Sequence, residues 1–175
     1  ATDPAVDEIS RIIHEASAIG SRRLILLTGV PGAGKTLVGL RTVHAHFLDD
    51  LVVDRPGQES TVPAVFLTGN GPLCEVLQYE LKGAGGGGKT FVRGVKDYVR
   101  RYSSKPGLVP PEHVLIFDEA QRAFDAEEVK ARHQHMAGGG DGKSEPEHFI
   151  EFAERIPEWC VVIGLIGSGQ EIHVG

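Results

Sequence analysis

Residues 29–36 read Gly29-Val30-Pro31-Gly32-Ala33-Gly34-Lys35-Thr36 and satisfy the Walker A pattern at every specified position. Glycines in such a turn leave successive backbone N–H groups open to curl around an anion. A helix starting beside it turns its positive end toward the same charge. Lys35 is then set to reach the β- and γ-phosphates of a nucleotide, and the Thr36 hydroxyl to ligate magnesium. Gly29, Pro31, Gly32, Ala33, Gly34, Lys35, Thr36 and Leu37 form the candidate nucleotide contact. The alternative is a glycine-rich turn that merely joins a strand to a helix. The complete pattern in a strand–turn–helix setting favours phosphate.

A second group of chemical residues follows an apolar run. Val114-Leu115-Ile116-Phe117 leads into Asp118-Glu119. An aspartate at the carboxyl end of a buried strand lies beside the phosphate turn in sheets of this kind and can hold magnesium. A glutamate directly after it has the reach to orient and deprotonate an attacking water. The competing explanation is a solvated acidic turn or an acid-decorated helix start. Behind a complete Walker A pattern, the catalytic pairing is the stronger reading.

Both groups need a scaffold, and the hydropathy pattern supplies one. Apolar residues Val6, Ile9, Ile12, Ile13, Ala16 and Ile19 recur at helical spacing over 5–19. Four short apolar runs read as strands: Leu24–Thr28, Ala64–Thr68, His113–Phe117 and Cys160–Ile166. The first of them, bounded by glycines, is expected to be buried on both faces. Helices are predicted over 35–48, 72–82, 90–102, 126–135 and 147–155. Strands alternating with helices predict an α/β domain with a parallel sheet. No internal repeat is present.

Composition narrows the classes further. The chain has 175 residues, net charge −6 and two cysteines, Cys74 and Cys160, in no metal-like spacing. That length suits one domain. A disulfide scaffold or a zinc module is not expected. No apolar run approaches the ~18 residues of a membrane helix, so no membrane association is expected and the cytoplasm is the expected compartment. Glycine is high, 23 of 175, against an ordinary ~7%. Some glycines sit in the phosphate turn and at strand ends. The runs 83–88 and 138–142 read as loops.

Four stretches carry a family resemblance. Asp118-Glu119-Ala120-Gln121 resembles the DExQ box of superfamily 1 helicases and their schlafen-like relatives. Leu67-Thr68-Gly69-Asn70-Gly71-Pro72-Leu73 resembles the segment that touches single-stranded nucleic acid in that superfamily. Ser144-Glu145-Pro146-Glu147 precedes the helix leading to the fourth strand, and Gly164-Leu165-Ile166-Gly167-Ser168-Gly169-Gln170-Glu171 resembles its γ-phosphate-sensing strand end. From Leu24 onward the chain is similar to the bacterial schlafen-group helicase family. The resemblance implies a three-layer RecA-like P-loop NTPase domain over 1–175, with helix 5–19 as an N-terminal extension.

The same resemblance implies roles. Glu119, Lys35 and Gln170 would be catalytic, Thr36 and Asp118 would hold Mg2+, and Gln121 would couple the site to a neighbouring domain. ATP or another NTP would be the substrate, and Thr68, Gly69 and Asn70 would meet single-stranded DNA or RNA. Two departures from the family pattern stand out. No glutamine precedes Gln58 to read adenine. The second RecA-like domain, which carries the arginine finger and would act in cis, is not recognisable in the chain, so slow hydrolysis is expected. A nucleotide-dependent switch that does not translocate remains the alternative. A small-molecule kinase would need an arginine-rich lid. The basic run Lys89, Arg93, Lys96, Arg100, Arg101 and Lys105 against Asp97 admits a solvated helix face or a phosphate contact.

Overall fold

The fold is that of a computed structural model describing residues 3–29, 34–43, 51, 63–83, 92–105, 107–118 and 145–167. Within these, the elements in chain order are α1 (Asp3–Ile19), β1 (Arg22–Gly29), α2 (Lys35–Val43), β2 (Ala64–Thr68) and α3 (Gly71–Gly83). They continue with β3 (Val92–Gly94), α4 (Val95–Ser103), β4 (Val114–Phe117), α5 (Glu145–Arg155) and β5 (Cys160–Gly167). The strands form one five-stranded sheet in the order β1-β5-β4-β2-β3, and every pairing is parallel.

Alternating side chains build a core on each face of the sheet. Phe66, Ile116 and Ile163 face one way and pack with Ile9, Ile13 and Ala16 of α1, Val38 of α2 and Cys74 of α3. Val65, Leu67 and Leu115 face the other way, toward Tyr98 and Tyr102 of α4 and Phe149 and Phe152 of α5. Helices on both faces of a parallel sheet make the three-layer α/β architecture expected from the strand–helix alternation. It is consistent with a RecA-like domain.

Helix ends show why the segments stop where they do. Gly20 adopts φ +67° after α1, and the Ser21 N–H bonds back to the Ala16 carbonyl at 3.0 Å. This is a Schellman-type stop that only glycine enters without strain. Arg22 donates to the carbonyls of Ala153 at 2.8 Å and Ile156 at 3.0 Å, covering the last turn of α5. Arg155 donates to the Tyr102 carbonyl at 2.6 Å near the end of α4. These cations satisfy carbonyls that the helices leave without partners.

Two expectations need correction. The segment predicted as one helix over 90–102 contains β3, so the described sheet has five strands instead of four. Val92, Val95, Tyr98 and Tyr102 recur at helical spacing across the junction, and a three-residue edge strand is too short to show a period of its own. The strand at 24–28 is not buried on both faces. Among the described strands β1 lies at the edge, and Leu24 and Leu26 are 62% and 48% exposed. They line an apolar groove of about 330 Å³ with Phe149, Ile150 and Val162. A continuous apolar run does not distinguish an edge strand from a central one. The helix predicted over 126–135 lies outside the described residues.

Candidate functional site

In an all-parallel sheet every strand ends on the same side, so Gly29, Thr68, Gly94, Phe117 and Gly167 mark one carboxyl edge. The register fixes their relative heights. Phe117 is level with Gly164, and Gly164 with Leu26. Asp118 is therefore level with Leu27, and Gly29 stands two residues, roughly 7 Å, beyond it. β5 alone separates β1 from β4, which sets these two strand axes roughly 10 Å apart. The end of β1 and the acid after β4 thus lie near one another on the same carboxyl edge. The Asp118 N–H is tied to the Leu67 carbonyl at 2.9 Å, fixing the backbone from which its carboxylate projects.

On the other side of the turn, Gly34 adopts φ +88°, a conformation L side chains rarely adopt, and Lys35 begins α2. The Gly34 carbonyl receives the Val38 N–H at 2.9 Å, the first bond of the helix. Lys35 and Thr36 are partly exposed on this opening turn. α2 is held close to the sheet by a small residue. A Cβ at Gly39 would lie 2.8 Å from the Phe66 ring and 3.1 Å from Leu165 Cδ1. Sequence reasoning missed Gly39, although a glycine inside a helical pattern is a recognised sign of close packing. Thr42 is buried two turns in and donates to the Val38 carbonyl at 2.8 Å.

The third cluster lies on the same edge. Thr68 is level with Gly94 of β3. Its side chain is buried, and its hydroxyl accepts the Asn70 N–H at 3.2 Å. Asn70 caps α3: its side-chain oxygen accepts the Leu73 N–H at 3.1 Å, and its carbonyl accepts the Cys74 N–H at 2.9 Å. Gly69 and Asn70 are exposed. Asn70 therefore has both a structural role in the turn and an accessible surface.

Lys35, Thr36, Thr68, Gly69, Asn70 and Asp118, with the backbone of Gly29 and Gly34, thus share the carboxyl edge. Pro31, Gly32, Ala33, Glu119, Gln121 and Gln170 lie outside the described residues, as does the side chain of Leu37. Among the described residues no group of three or more His, Cys, Asp or Glu side chains is placed to hold a metal ion. Thr36 and Asp118 nevertheless fit magnesium, which takes one or two protein oxygens and completes its shell with phosphate and water. No helix among the described residues is long and apolar enough to cross a membrane.

The buried polar groups elsewhere are of a different kind. The Tyr98 hydroxyl donates to Glu112 Oε2 at 2.8 Å. Burial, followed by the Glu112 charge, pushes this phenol well above its ordinary value, so it stays a protonated donor. Burial pushes the Cys160 thiol up to about 12, which leaves it a neutral packing group. His113 stacks on Trp159 with ring centroids 4.5 Å apart, and its Nδ1 lies 2.7 Å from the Trp159 carbonyl.

Residues 22–175 match the family model described as Schlafen group 3, DNA/RNA helicase domain. No curated protein matches the chain.

Proposed function

The chain belongs to the Schlafen group 3 DNA/RNA helicase domain family, and we propose that it binds and hydrolyses ATP or another NTP as the first motor domain of a nucleic-acid-dependent ATPase. The observation that carries this reading is the shared carboxyl edge. β1 ends at Gly29 on one side of β5, with Gly34 and Lys35 opening α2 after it, and Asp118 follows β4 on the other side. Residues 1–175 act as one RecA-like unit in this reading. α1, which precedes the family-matched residues, contributes Ile9, Ile13 and Ala16 to the same core.

The nucleotide phosphates lie over the turn 29–36, where backbone N–H groups and the positive end of α2 favour negative charge. Lys35 supplies a full cation to the β- and γ-phosphates. Thr36 and Asp118 hold Mg2+, which when bound neutralises charge on the phosphates. Glu119 accepts the proton of the attacking water. Gln170 contacts the γ-phosphate or that water and reports its presence. Thr68, Gly69 and Asn70 meet the nucleic acid, Gly69 and Asn70 with exposed surface and Thr68 by fixing their turn. A second RecA-like domain in cis supplies the arginine finger, a group that contributes several orders of magnitude in rate. The name of the matched family supports a nucleic-acid partner.

Hydrolysis of Mg-ATP by this chain and by Glu119→Gln tests the assignment of the base. The expected result is nucleotide binding in both. Turnover of the unmodified chain should be well below the ~10 s⁻¹ typical of complete enzymes, with none in Glu119→Gln. Undiminished hydrolysis by Glu119→Gln would place the base elsewhere. In a longer polypeptide, turnover that ignores single-stranded DNA and RNA would favour the non-translocating switch.

A further inference from the structure

α4 has two sides of opposite character. Val95, Tyr98 and Tyr102 are buried toward the sheet, whereas Lys96, Asp97, Arg100 and Arg101 are exposed. Residues 93–105 hold five cations, Arg93, Lys96, Arg100, Arg101 and Lys105, against the single acid Asp97, in a chain of net charge −6. Charge of one sign is thus concentrated on one helix of an otherwise acidic molecule. The relief available inside the helix is slight. Arg100 reaches Asp97 only at 4.0 Å, with the two side chains 80% and 83% exposed, and exposed pairs of this kind contribute little. Lys96 and Arg100 are like charges at i,i+4, an arrangement that costs a few tenths of a kcal/mol. A face serving only solubility would intersperse the signs.

Two of the cations are also held in place. The Arg93 guanidinium lies 5.7 Å from the Tyr98 ring centroid, and that of Arg101 lies 5.8 Å from the Tyr102 ring centroid. Both tyrosines are buried, so these cation–π contacts anchor the charges to the core and lower the entropy cost of binding an anion. The position of the helix matters equally. α4 begins directly after Gly94, which pairs with Thr68 on the carboxyl edge. A Cβ on exposed Gly69 would stand 3.7 Å from Val95 of α4.

We infer that the outward face of α4, centred on Lys96, Arg100 and Arg101 and flanked by Arg93 and Lys105, docks the phosphate backbone of a single-stranded nucleic acid. Lys96 to Arg101 spans about 7.5 Å at helical rise, and Lys105 lies just beyond the end of α4. A row of cations without base-reading groups gives sequence-independent, salt-sensitive binding. The inference rests on the proposed function only for the class of partner and concerns a surface separate from the nucleotide cleft.

The test uses labelled single-stranded DNA and RNA oligonucleotides titrated with the full chain at several salt concentrations. The unmodified chain is compared with Lys96→Glu/Arg100→Glu and with the charge-preserving Lys96→Arg/Arg100→Lys, and Mg-nucleotide binding is measured in parallel. The charge-reversed variant should lose at least about tenfold in affinity, with a salt slope smaller by roughly 0.7 for each phosphate contact removed. The charge-preserving variant should bind like the unmodified chain, and all three should bind nucleotide equally. Equal oligonucleotide binding by the charge-reversed variant would overturn the docking surface and leave the nucleotide reading intact. Nucleotide binding without oligonucleotide binding, or attachment to anionic lipid vesicles alone, would overturn it as well. Oligonucleotide binding at α4 without nucleotide binding would instead refute the proposed function.

Discussion

The two edges of the sheet are built on opposite principles. At the amino edge, polar groups are locked in place: His113 is buried and stacks on Trp159, and Arg22 covers the end of α5. At the carboxyl edge, Lys35, Thr36 and Asp118 are partly exposed on short turns, and Gly69 and Asn70 are open to solvent. The first edge holds the strands in register. The second leaves chemical groups accessible where the strands end, the general location of ligand sites in open parallel sheets. The contrast predicts that substitutions at the amino edge and in the packed layers change stability, while those at the carboxyl edge change binding.

The largest stability effect is expected at Trp159. It is 5% exposed and belongs to the core that contains α1 and α2. Trp159→Ala removes the partner of the His113 ring and leaves a cavity, at a cost of about 3–5 kcal/mol. Chemical denaturation would measure it, and a loss below about 1 kcal/mol would break the contrast. Gly39→Ala comes next. The added methyl meets the Phe66 ring at 2.8 Å inside a closed core, and overpacking of this kind costs about 1–3 kcal/mol. Unfolding should register the loss, and a stabilised variant would show that α2 does not need the close approach.

The smallest effect is expected at Gly69. A Cβ there finds only Val95 at 3.7 Å, an ordinary contact, and the backbone is not in a left-handed conformation. Gly69→Ala should change stability by no more than about 0.5 kcal/mol. A loss comparable to that of Gly39→Ala would mean that this turn is a packed structural element like the amino edge.

The carboxyl edge was also the part most readily read from sequence. The proposed phosphate turn rests on residue types at fixed positions, so Gly34, Lys35 and Thr36 stand out from local pattern alone. Asp118 was identified for a similar reason, as an acid closing an apolar strand. What local pattern did not reveal depended on neighbours distant in sequence. The exposure of Leu24 and Leu26 depends on which distant elements pack over that face of β1, and nothing in Leu24-Ile25-Leu26-Leu27 encodes that. β3 exists because Val92 pairs with Phe66, and its own three residues merge into the period of α4. The Arg22 cap joins residues more than 130 positions apart. Glu119, Gln121 and Gln170 lie outside the described residues and rest on motif chemistry and family resemblance.

The central claim is that the turn after β1 binds nucleotide phosphate through Lys35. Equilibrium binding of a fluorescent Mg-nucleotide to the unmodified chain and to Lys35→Ala, with thermal unfolding of both, tests it most directly. A lost charge-assisted contact to phosphate predicts affinity reduced by roughly tenfold to a hundredfold or more. The melting temperature without nucleotide should be unchanged, because Lys35 is partly exposed on the opening turn of α2. Equal nucleotide affinity in the two proteins would contradict the account.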